Sequence, residues 1–183
     1  MTAPPGIGHN SGTDFDGYAG RLHQWRKARK DLIKGRMPLE VVRMRVRRAA
    51  ALGLDYGTYA SVRASTGRDI VALLFSSSAL GMLRQAEMEA AAAQKLERIA
   101  ASRGALIHAP LPVTAVGPLD WAYRAPAFTD SWSAARERLI AVLKARHLPA
   151  DGVLMIGATA VEREWCAAAR AAGWVPSERY FAT

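Results

Sequence analysis

The chain has 183 residues, half of them apolar, which is enough for one folded core with a small appendage. Its net charge is +9, from 25 bases and 16 acids, and the single cysteine, Cys166, excludes an internal disulfide framework and a cysteine-rich zinc site. No stretch approaches the roughly 20 consecutive apolar residues of a membrane helix, and no apolar leader follows Met1, so a cytoplasmic protein without membrane contact is expected.

Residues 1–14 are mostly Pro, Gly, Ser, Thr and Asn, with Ile7 as the one branched apolar residue. They bury too little to offset the entropy of ordering, which predicts a flexible tail. Within it, Pro4-Pro5-Gly6-Ile7-Gly8-His9-Asn10 resembles a short tail of bacterial proteins of otherwise unrelated sequence, some phage- or plasmid-linked. The resemblance covers seven residues. It implies a bacterial source and a linear docking motif for a protein partner, while low-complexity tail is the plainer reading.

Residues 21–48 carry 11 of the 25 bases and only two acids, Asp31 and Glu40. The remaining chain is balanced, 14 bases against 14 acids, so the whole excess of +9 lies in this segment. Charge that local suits phosphates, a membrane face or an acidic partner. A solvated pair of basic helices is the bland alternative. Residues 15–34 have a helical pattern with Tyr18, Leu22 and Trp25 on one side. Pro38 suits a helix start, and Leu39, Val42, Val46 and Ala49 follow at helical spacing, with Arg43 and Arg47 on another face. Gly53 ends that helix, and Asp55 caps a short one over 56–66. Residues 15–66 are thus expected to form a basic αα-hairpin module, superficially like a helix-turn-helix. Its candidate nucleic-acid contacts are Arg26, Lys27, Arg29, Lys30, Arg43, Arg45, Arg47 and Arg48, with Trp25 as a stacking group. Tyr59 to Thr66 superficially resembles the serine-recombinase signature, but Arg63 and Ser65 fall out of register and no apolar strand precedes them.

From residue 67 the pattern changes. Asp69 to Phe75 is a continuous apolar run, as a buried parallel strand requires. Ser76-Ser77-Ser78 and a long helical pattern from Ala79 to about Ser102 follow, then a second strand over Ala105–His108. Residues 109–130 read as a proline-rich excursion with one extra strand at Val113–Val116. A helix through about Arg146, a third strand at Val153–Ile156, a helix over 159–172 and a packed-back aromatic tail complete the chain. Residues 67–183 are therefore expected to form a small three-layer α/β domain with a parallel, Rossmann-like sheet.

Ligands of such sheets sit beyond the strands' carboxyl ends. Those ends offer Ser76, Ser77, Ser78, His108 and Thr159, suited to an anion, a nucleotide or another phosphate-bearing small ligand. Hydroxyls there also serve simply as helix caps. Glu162 and Glu164 alternate with Arg163 and read as a solvated face. There is no G-x-x-x-x-G-K-[ST], no G-x-G-x-x-G after a strand and no H-E-x-x-H, so no cofactor and no metal are expected. The favoured expectation is a non-enzymatic nucleic-acid-associated accessory or regulatory protein. The alternatives are an enzyme or sensor binding a nucleotide or phosphorylated metabolite at the strand ends, and a protein-interaction adaptor.

Overall fold

The computed structural model describes residues 37–82 and 87–182. The tail, the 15–34 helical pattern, and with them Trp25, Arg26, Lys27, Arg29 and Lys30, lie outside the described residues. By internal contact the chain divides into residues 1–42 and 43–183, and the second unit holds the sheet.

Helix α1 (Leu39–Ala51) starts after Pro38, whose carbonyl accepts from the Val41 and Val42 amides. It ends where Gly53 takes a φ of +66°, which lets Leu54 N–H reach back to Ala49 O at 3.0 Å. Of the apolar positions spaced along this helix, Ala49 is buried, whereas Leu39 and Val46 are exposed. Helix α2 (Tyr56–Thr66) is capped by Asp55, whose carboxyl accepts from Thr58 N–H at 2.8 Å.

The remaining elements are β1 (Ala72–Ser76), α3 (Ala90–Glu97), β2 (Ser102–Ile107), β3 (Trp121–Arg124), α4 (Trp132–Ala145), β4 (Val153–Gly157), α5 (Ala160–Ala169), β5 (Gly173–Pro176) and α6 (Ser177–Phe181). The five strands form one parallel sheet in the order β3-β2-β1-β4-β5. The fold is α/β. Every residue of β1 and β4 is buried, because each central strand is covered on both faces.

Alternate side chains serve the two faces. Leu73, Phe75, Ile107, Leu154 and Ile156 pack with Leu52 and Tyr59 from the α1–α2 region, Leu96 of α3 and Tyr180 of α6. Ala72, Leu74, Leu106, Val153 and Met155 pack with Leu139 and Val142 of α4 and Trp165 and Ala168 of α5. Tyr59 and Leu73, from either side of position 66, belong to one buried cluster.

Three sequence expectations need correction. The long helix over Ala79–Ser102 is, in the described residues, a run of turns followed by the two-turn α3, because Gly81 adopts a φ of +72° after the serines. The strand proposed at Val113–Val116 is irregular, and the edge strand is β3, at Trp121–Arg124, with Trp121 buried. The aromatic tail is a fifth strand and a short helix, β5 and α6.

Candidate functional site

Strand order reverses between β1 and β4, so their carboxyl ends flank the point where a doubly wound sheet offers a crevice. Phe75 pairs with Ile156, which sets Ser76 and Ser77 beside Gly157 and the start of α5. His108 follows β2 immediately.

These residues lie side by side, hydrogen-bonded except between His108 Nε2 and Glu162 Oε1, two buried atoms without a hydrogen-bond partner. Ser77 Oγ accepts from the His108 backbone N–H at 3.2 Å and lies 2.8 Å from His108 Nδ1. If the hydroxyl donates to Nδ1, the imidazole hydrogen sits on Nε2; if it accepts, the hydrogen sits on Nδ1. Nε2 faces Glu162 Oε1 at 3.5 Å. The other carboxyl oxygen, Glu162 Oε2, accepts from Ala158 N–H at 2.6 Å and Thr159 N–H at 3.0 Å. Thr159 Oγ1 returns the contact by accepting from Glu162 N–H, a reciprocal capping box. Glu162 is 1 % exposed, which corrects its reading as part of a solvated face. The ring of His108 is stacked on Phe128 at 5.0 Å and tilted against Trp165 at 5.3 Å. Burial pushes the His108 imidazole below its ordinary value, and the Glu162 carboxyl acts in the opposite sense.

The order serine, histidine, carboxyl is that of a nucleophile–base relay. Access decides against that use, because Ser77 is 1 % exposed. The nearby void, between Met155, Gly157, Glu162, Trp165 and Trp174, is too narrow to admit a water molecule. Glu162 occupies the two amides that lead into α5, those of Ala158 and Thr159, and Ser76 Oγ is engaged by Ala79 N–H at 3.0 Å. Ser78 is half-buried, in a turn rather than at a helix N-terminus. The strand-end residues singled out from sequence are thus brought together, and their polar groups mostly satisfy one another. What this arrangement does is tie the ends of β1, β2 and α5.

On α1 the four arginines have different fates. Arg43 and Arg47 are exposed, and Arg45 is half-buried. Arg48 turns inward. Its Nε donates to Asp69 at 3.1 Å, Nη2 to Ile70 O at 2.7 Å and Nη1 to Ala100 O at 3.0 Å. Asp69 also accepts from the Tyr59 hydroxyl at 2.8 Å and lies 3.4 Å from Arg63. Burial alone would raise the Asp69 carboxyl; the Tyr59 hydroxyl and the Arg48 guanidinium outweigh it and hold the carboxyl below its usual range. Among the described residues no cluster of three or more His, Cys, Asp or Glu could hold a metal, and no helix is long and apolar enough to cross a membrane.

The chain matches no family model, no curated protein and no solved structure.

Proposed function

We propose that this protein is a nucleic-acid-associated accessory or regulatory protein that meets phosphates through its basic segment. The observation that carries the reading is charge segregation: the whole excess of +9 lies in residues 21–48, on a chain otherwise balanced. Phosphate contact needs cations that solvent can reach on one face, and Arg43 and Arg47, one helical turn apart on α1, are both exposed. Arg48 is no longer among the proposed contacts, since its guanidinium serves the fold. The engagement of the Ser76, Ser77 and Thr159 hydroxyls within the fold supports the same choice, since it weakens a phosphate-binding alternative there.

The test is a salt series of oligonucleotide binding for the parent chain and for Arg43→Ala/Arg47→Ala. Affinity should fall steeply with salt. The double variant should flatten the log–log slope by ~2 if each arginine neutralises one phosphate. An unchanged slope removes these residues, and no binding by the parent at low salt discards the function.

A further inference from the structure

We propose that an open groove between α5 and β5 is a nucleotide-binding site, taking the phosphate on Arg170 and the base on the paired Arg163 guanidinium and Trp174 ring. The groove has a volume of about 690 Å³, within the range of small-ligand sites. Ala167, Ala171 and Pro176 make a small apolar floor, and no acidic residue is among those lining it. The two arginines thus border the groove with no carboxyl among the other lining residues.

Three features fit one ligand class. The guanidinium of Arg163 lies over the Trp174 ring at 5.8 Å, a flat layer on which a planar base can stack. Trp174 is anchored edge-on: a Cβ at Gly157 would lie 2.7 Å from its Nε1, so the indole passes directly over the β4 backbone. Arg170 holds φ 54° and ψ 39°, the left-handed conformation that closes α5, where glycine is the usual residue. The chain keeps an arginine there although a glycine would be less strained, and that arginine lines the groove. A cation beside a guanidinium–indole layer suits a phosphate joined to an aromatic base better than either alone.

The nucleotide's source is either a free mononucleotide or a unit of a single strand, and two ligands separate them. Adenosine monophosphate and inorganic phosphate are titrated by calorimetry, and a fluorescent oligothymidylate by anisotropy. Arg163→Ala/Arg170→Gly should weaken adenosine monophosphate at least ~10-fold, the loss expected when a charge-assisted phosphate contact and the stacked guanidinium go together. Arg170→Gly alone should weaken binding without lowering the thermal midpoint, because glycine relieves the left-handed residue. Trp174→Leu should weaken adenosine monophosphate ~10-fold and leave inorganic phosphate unchanged, the signature of a lost stack. A parallel loss for oligothymidylate assigns the site to a strand; a loss confined to the mononucleotide assigns it to a free ligand. The site does not rest on the basic helix, so Arg43→Ala/Arg47→Ala should leave adenosine monophosphate binding intact. No binding of either ligand by the parent, full binding by Arg163→Ala/Arg170→Gly, or inorganic phosphate as tight as the nucleotide overturns the proposal.

Discussion

Arg47 and Arg48 are neighbours of the same type in one basic helix, yet they do unrelated things. A step of one residue turns a helix by about 100°, so Arg48 comes to lie over the entry to β1 while Arg47 faces solvent. Arg48→Ala should lower stability by roughly 2 kcal/mol, because it removes the donor to the Ile70 and Ala100 carbonyls and one of the partners of Asp69. Arg47→Ala should stay within about 0.5 kcal/mol of the parent. Denaturant midpoints for the pair check this, and equal midpoints would show that the Arg48 contacts are energetically idle. Glu162 teaches a related lesson. The spacing Thr159-x-x-Glu162 is a capping-box signature, so a signal for its inward turn was present in the sequence. The alternation Glu162-Arg163-Glu164 obscured it, since helical phase, not charge alternation, decides which of three consecutive residues is buried.

Among the elements, the central strands were legible because both faces are covered and the apolar run is unbroken. The edges were not. Strand β3 has only Trp121 fully buried, and β5 only Val175, so neither carries a continuous apolar signal. Position 104 shows what fixes β3 to β2. A Cβ there would sit 2.1 Å from the Trp121 ring, which crosses directly over the glycine and donates from Nε1 to Ser102 Oγ at 2.9 Å. Gly104→Ala should therefore cost about 3 kcal/mol, as the indole has no flexible end to move aside. Thermal unfolding of Gly104→Ala beside a surface control such as Ala141→Gly measures it. A loss no greater than the control's would mean that β3 shifts freely.

For the whole molecule, the ionisable groups predict a stability that falls on acidification in two stages. The folded imidazole of His108 lies below its ordinary 6.5, so between the two values the unfolded chain binds the extra proton. Stability from this group is present above about pH 6.5 and declines as the pH falls toward the folded value. Asp69 and Asp120 are held below their ordinary 3.8, Asp120 chiefly by the hydrogen bond from Arg103. Their contribution persists down to about pH 4 and is lost as the pH falls through their folded values. Chemical denaturation at about pH 7.5, 5 and 3 should give a falling series, with His108→Gln flattening the first interval only. A parent with no change over that first interval would remove His108 from the account.

What the sequence determined by itself was whatever depends on neighbours along the chain. The apolar runs at Ile70–Phe75 and Val153–Ile156 sufficed for a buried parallel sheet, and the concentration of charge in residues 21–48 is a matter of counting. Tertiary structure decided what the polar groups of the described residues do. Ser77 meets a histidine 31 residues away, Arg48 a carbonyl 52 residues away, and Glu162 the ring of His108. It also decided that Arg163, Arg170 and Trp174, drawn from a helix, its cap and an edge strand, share one groove. Burial of an apolar run is non-directional and shows in periodicity, whereas a hydrogen bond or an ion pair needs two groups at one distance and angle. Only the folded chain brings such groups together.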